Sequence, residues 1–142
     1  MSSEEKAAWI GLITAIGSYS VYVGIVLSLR QSTQLVEVAY APVLLWMIVV
    51  SVAATIVLTI FTSLAAPREA GKKDRRDREI YRFGEYAGRW FLIAGALVAL
   101  GQAMLEVHPF WIANVLYLAF VLSAILASIV KIVSYRRGMP AW

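Results

Sequence analysis

The fold is decided by a stretch without a single charged residue, VAYAPVLLWMIVVSVAATIVLTIFTSLAA (residues 38–66). A helix needs about 20 apolar residues to cross the hydrocarbon core of a bilayer, and this stretch is longer than that. Its valines and isoleucines do not favour a strand, because a chain in lipid must satisfy its own backbone polar groups, and a helix does so. We interpret the stretch as a membrane-spanning helix that is tilted or protrudes from the bilayer.

Three further apolar stretches accompany this one. They predict spans at about residues 7–29, 90–107 and 110–135, and residues 67–89 form the loop between the second and third spans. The chain of 142 residues is 61% hydrophobic and only 15% charged, whereas soluble domains are about 25% charged. The sequence therefore predicts one all-α integral membrane domain, residues 1–142, folded as a four-helix bundle.

Lysine and arginine are distributed unevenly along the chain. Arg30 falls between the first and second predicted spans, and every other lysine and arginine lies near a terminus or in the 67–89 loop. Loops rich in these residues stay in the cytoplasm. We therefore expect both termini and the central loop to be cytoplasmic, in a multi-pass protein of the cytoplasmic membrane.

The central loop ends in a strongly patterned run, KKDRRDREIYRFGEYAGR (residues 72–89). Opposite charges recur at helical spacing, so that Arg75 faces Glu79 and Glu85 faces Arg82 and Arg89. An apolar stripe runs beside these charges into the third span. We interpret the run as an amphipathic cytoplasmic segment that extends the third helix. The stripe consists of Ile80, Phe83, Ala87 and Trp90.

Two interpretations of this segment stay open. In one, it is a solvated extension whose cations only fix the topology. In the other, Arg75, Arg76, Arg78 and Arg82 form a docking surface for anionic lipid or a protein partner, with each exposed cation contributing about 1 kcal/mol near an anionic leaflet. The acids in the same loop favour a specific partner or a homo-oligomer over purely electrostatic lipid binding.

The same run carries a resemblance to a known family. Lys73 to Ile80, followed by Phe83-Gly84-Glu85-Tyr86, resembles a motif in small four-span inner-membrane proteins of unknown function that are common in actinobacteria. Arg75 stands where those proteins usually have an acid. The resemblance implies a bacterial inner-membrane protein without a known activity. Because such proteins are often encoded beside small helix-turn-helix regulators, it also implies a regulated membrane component.

Small residues at helical spacing predict how the helices pack. Ala119, Ser123 and Ala127 fall four residues apart on the fourth helix, and Gly84 and Gly88 have the same spacing on the third. Such stripes let helices approach closely in lipid. We expect these residues to lie at helix contacts, and we do not interpret the glycines as a phosphate-binding loop.

A second candidate site lies at the outer end of the predicted bundle. The tight connection between helices three and four should bring together five polar residues, Gln102, Glu106, His108, Asn114 and Tyr117. One interpretation is an outward-facing polar pocket for a small ligand or cation. The other is that these side chains simply meet water and lipid headgroups at the helix ends.

The residue types present argue against several classes of function. No charged residue falls in the middle of a predicted span, which disfavours an ion-coupled pump. Cysteine is absent, and the sequence shows no catalytic triad or metal-ligand cluster, so we expect no enzyme activity, cofactor or metal. The cations adjoin membrane spans, so we expect no nucleic-acid binding. The leading interpretation is a non-enzymatic association or regulatory component, and the alternative is a small transporter or ligand-binding protein.

Overall fold

The computed structural model describes residues 3–30, 40–65 and 75–138. These residues form four helices, all long and apolar enough to cross a membrane. The prediction of an all-helical protein with four candidate spans is therefore confirmed. The helices are α1 (Ser3–Arg30), α2 (Tyr40–Ala65), α3 (Arg75–Met104) and α4 (Pro109–Arg137).

The helices pack in an order that differs from their order in the chain. The central pair is α1 and α4, while α2 packs mainly on α1 and α3 packs mainly on α4. The starts of α1 and α3 lie at the same end as the finish of α4, because side-chain contacts join them there. We call this the charged end, and we call the end that carries the α3–α4 turn the opposite end.

The helix α3 is continuous through both the charged run and the apolar span. It ends at Met104, earlier than the predicted span, because Glu106 adopts a left-handed backbone conformation with φ 56°. The amide of Glu106 donates to the Ala103 carbonyl, and the amide of Val107 donates to the Gln102 carbonyl. This is the Schellman arrangement that satisfies the last carbonyls of a helix.

The start of α4 follows from two adjacent residues. His108 is the N-cap, and its Nδ1 atom accepts a hydrogen bond from the Phe110 amide at 3.1 Å. Pro109 occupies the first helical position, where a missing N–H costs nothing and the fixed φ suits a helix. Helices α3 and α4 therefore form a tight antiparallel hairpin.

Glycines bring α3 close to α4. A Cβ atom on Gly95 would lie 2.2 Å from the Cβ of Ala119, and one on Gly88 would lie 2.7 Å from the Ser123 carbonyl oxygen. At Gly84 the added atom would meet the stem of Lys131 at 2.7 Å. The prediction that these small residues lie at helix contacts is confirmed for Gly84, Gly88 and the α4 stripe.

The expected apolar stripe on α3 divides between two faces. Ile80 is fully buried and shares its face with the buried glycines. Phe83 and Ala87 are partly buried and Trp90 is 59% exposed, so the stripe is not buried along its whole length. The reason is the glycine line, which lets α4 approach so closely that the contact face follows the glycines instead of the larger side chains.

The opposite half of the bundle contains the main side-chain core. Tyr22 and Val26 from α1 pack there with Phe110, Tyr117 and Val121 from α4. The start of α2 borders this cluster, but no described residue of α2 is itself buried. Helix α2 therefore exposes most of its apolar surface to whatever surrounds the bundle.

Candidate functional sites at the two ends of the bundle

Ion pairs and aromatic contacts tie the charged end together. Arg136 on α4 pairs with Glu5 on α1, with 3.1 Å between Nε and Oε1, and its guanidinium lies 5.7 Å from the centre of the Trp9 ring. Glu5 is buried at this contact. The first turns of α1 are thereby held against the last turn of α4.

A second set of contacts ties α3 to α4 at the same end. The Tyr135 hydroxyl donates to Asp77 at 2.6 Å, and Arg76 donates to the Tyr135 carbonyl at 3.4 Å. Lys131 pairs with Glu85 at 2.7 Å, and its ammonium group lies 4.2 Å from the centre of the Tyr81 ring. These contacts occupy polar groups that would otherwise face the surroundings.

Glu85 has a different partner from the one that helical spacing predicted. The sequence predicted contacts with Arg82 and Arg89 on the same helix, whereas the structure places Glu85 against Lys131 of α4. The stem of Lys131 crosses directly over Gly84, where the missing side chain leaves a path to the carboxylate. By contrast, the predicted pair of Arg75 and Glu79 is present at 3.0 Å.

The four arginines of the predicted docking surface divide into two groups. Arg75 is held by Glu79, and Arg76 contacts α4. Arg78 and Arg82 are exposed, and neither has a hydrogen bond or ion pair within the part of the chain that the structure describes. Residues 72–74 of the charged run lie outside the described residues.

Arg82 also lines a concavity on the face of α3 that points away from α4, which we call the outer face of α3. The concavity has a volume of about 470 Å³ and includes Arg89, which was not part of the predicted docking surface. The i, i+4, i+7 spacing of Arg82, Tyr86 and Arg89 would have indicated the shared face from sequence. A smaller pocket of about 100 Å³ lies beside it and is lined by Glu4, Asp77, Arg78, Tyr81 and Arg82.

At the opposite end, neutral hydrogen bonds replace ion pairs. The Tyr22 hydroxyl of α1 donates to Oδ1 of Asn114 at 2.7 Å, and the Asn114 amide donates to the Phe110 carbonyl at 2.7 Å. The rings of Tyr22 and Tyr117 meet edge to face with 5.0 Å between centroids. Asn114 and Tyr117 therefore contact α1 and contribute to the core.

The other three residues of the predicted outer pocket have separate environments. Glu106 is exposed at the end of α3, and His108 caps α4. Gln102 is partly buried, and its Oε1 atom lacks a hydrogen-bond partner within the described residues. Among the residues that the structure describes, the hydrogen bonds and ring contacts of Asn114 and Tyr117 involve neither Glu106 nor His108.

A third concavity lies midway along the bundle, between α1, α2 and α4, with a volume of about 460 Å³. The Thr55 hydroxyl on its wall donates to the Ser51 carbonyl, and the Ser18 hydroxyl donates to the Ala15 carbonyl. Hydroxyls that bond back to their own helix present little polarity to a neighbour. The groove therefore has a mostly apolar wall.

Among the described residues, ligands for a metal ion are not gathered at either end. Within residues 3–30, 40–65 and 75–138, no group of three histidine, aspartate or glutamate side chains is placed to hold one.

No protein-family model, curated protein or solved structure matches this chain.

Proposed function

We propose that this chain is a multi-pass protein of the bacterial cytoplasmic membrane that acts by association and carries out no reaction. In this proposal the charged end faces the cytoplasm, and the outer face of α3 there contacts a partner, lipid or a second copy. The unequal distribution of lysine and arginine supports the orientation. The resemblance of the 73–86 run to small four-span proteins of actinobacteria supports the bacterial location and a regulatory role.

One observation carries the proposal, namely the difference between two sets of cations at the charged end. Lys131 and Arg136 of α4 are engaged in contacts between helices. Arg78, Arg82 and Arg89 of α3 are exposed. Lys131 and Arg136 are thus occupied by contacts within the bundle, whereas the second set is available for an external contact.

The orientation is tested by labelling of single cysteines, because the chain contains none of its own. We expect Arg78→Cys at the charged end to be protected from an impermeant maleimide in intact cells and labelled after permeabilisation. Leu105→Cys, at a residue 79% exposed at the opposite end, should be labelled in intact cells. The reverse pattern would overturn the proposed orientation.

The association is tested by crosslinking in native membranes. We expect the wild-type chain to give a discrete crosslinked species, and replacement of Arg75, Arg76, Arg78 and Arg82 by alanine to remove most of it. Lys6→Ala combined with Arg137→Ala is a control that removes two cations from the same end. An unchanged crosslinking pattern in the fourfold variant would contradict the docking role of this face.

A second candidate function has one observation in its favour. The unpartnered Oε1 of Gln102 is the kind of group that a small ligand entering from the outer side would satisfy. This alternative is a transporter or ligand-binding protein that uses Gln102, Glu106 and His108. His108→Ala would also remove the N-cap of α4, so the test uses Gln102→Leu and Glu106→Gln; if both leave the cellular phenotype unchanged, the outer pocket has no such role.

A further inference from the structure

The face of α3 that points away from α4 carries two exposed arginines that have no ion pair with any residue that the structure describes. Arg82 and Arg89 line one concavity together with Glu79 and Glu85. Glu79 is paired with Arg75, and Glu85 is paired with Lys131. Each acid is thus neutralised by a cation of its own. The lining of the concavity therefore contains two glutamates that are already paired and two arginines that are not.

The two arginines lie on the side of α3 that faces away from α4. They are seven residues apart, which is nearly two helical turns, so they share one face. The buried residues Ile80, Gly84 and Gly88 mark the face that packs on α4. Neither Arg82 nor Arg89 has a hydrogen bond or ion pair with any other residue that the structure describes.

The side chains along this face of α3 match the chemically different parts of a phospholipid molecule. Next to Arg89 come Tyr86 and Trp90, whose rings meet edge to face with centroids 6.4 Å apart. Tyrosine and tryptophan favour the headgroup layer of a bilayer. Further along lie Ile93 and Leu97, which are 43% and 64% exposed. Along α3 the face thus carries Arg82 and Arg89 with Tyr86 between them, then Trp90, and then the aliphatic side chains.

We propose that this face binds an anionic phospholipid, with its phosphate at Arg82 and Arg89. The glycerol and ester region lies against Tyr86 and Trp90, and an acyl chain follows Ile93 and Leu97. Arginine suits this role because its guanidinium donates paired hydrogen bonds to phosphate oxygens. The inference rests on the proposed function and names the partner of the α3 face as membrane lipid.

The test measures lipid selectivity of the full-length protein in detergent. Native mass spectrometry with added phosphatidylglycerol or phosphatidylcholine gives the apparent affinity for the first bound lipid. We expect the wild-type chain to prefer phosphatidylglycerol. Each exposed cation near an anionic lipid raises the affinity for that lipid about 5-fold. In the double variant Arg82→Ala and Arg89→Ala, the affinity for phosphatidylglycerol relative to phosphatidylcholine should therefore fall roughly 30-fold.

The matched control is Lys6→Ala combined with Arg137→Ala, which removes the same charge from the same end and should retain the preference. Equal losses in both variants, or no loss in the arginine variant, would overturn the site. Crosslinking in membranes separates this inference from the proposed function. If Arg82→Ala with Arg89→Ala keeps its lipid preference but loses a protein crosslink, the face binds protein, and the lipid inference fails while association stands.

Discussion

Helices α2 and α3, which flank the central pair of α1 and α4, are held in different ways. Helix α3 meets α4 along a line of glycines and is tied to it by Asp77, Tyr81 and Glu85 at the charged end. Helix α2 packs mainly on α1, and none of its described residues is buried. In lipid, apolar area alone does not drive helices together, so close packing and polar contacts decide the strength of an interface. The more hydrophobic of the two helices is therefore the less firmly held.

The largest effect should come from filling the closest part of the α3–α4 interface. Gly95→Ala places a Cβ atom 2.2 Å from the Cβ of Ala119, which forces the helices apart. We expect the free energy of unfolding in micelles to fall by about 3 kcal/mol. Gly101→Ala is the control on the same helix, because its added Cβ meets nothing within 4 Å.

A compensating change tests whether the clash itself is responsible. Adding Ala119→Gly to Gly95→Ala removes the opposing methyl group and should restore most of the lost stability, although Ala119→Gly alone is neutral or destabilising. If Gly95→Ala is as stable as Gly101→Ala, the two helices do not meet as closely as described. Failure of Ala119→Gly to rescue would point to a backbone effect of alanine at position 95.

The sequence was sufficient to predict the helices, because a chain solvated by lipid has few ways to satisfy its backbone. It also predicted that Gly84 and Gly88 lie at a contact, since small residues at this spacing have few other uses in lipid. Apart from the pair joined by the tight α3–α4 connection, it could not predict which helices are neighbours. Glu85 had suitable partners on its own helix, and the choice of Lys131 depends on how α4 crosses Gly84.

The candidate sites were less predictable than the helices for the same reason. The pairing of Arg75 with Glu79 followed from their spacing, whereas the contact of Arg76 with α4 depends on a neighbour in space that the sequence does not indicate. At the opposite end, the hydrogen bond that fixes Asn114 comes from a residue 92 positions away. No local spacing indicates such a pairing.

An intermediate effect should come from the central pair of helices at the opposite end. Tyr22→Phe removes the hydroxyl that donates to Asn114 while it keeps the ring packing. Hydrogen bonds between helices in lipid contribute about 1 kcal/mol, and we expect a loss of that size in the same unfolding measurement. Tyr19→Phe is the control within the same ring cluster, and it should change stability little. A similar loss in both variants would show that the loss is not specific to the hydrogen bond with Asn114.

The smallest effect on the free energy of unfolding should come from a substitution on the exposed surface of α2. Phe61 is 64% exposed, and Phe61→Ala exchanges one lipid-facing apolar surface for a smaller one. Because the side chain is surrounded by apolar molecules whether the helices are packed or apart, we expect a change below about 0.5 kcal/mol. Val26→Ala, at a buried residue of α1, should cost clearly more, since packing atoms are lost there. A large loss from Phe61→Ala that grows on dilution of the protein in micelles would show that a second copy covers α2, which would reverse the contrast between the two flanking helices.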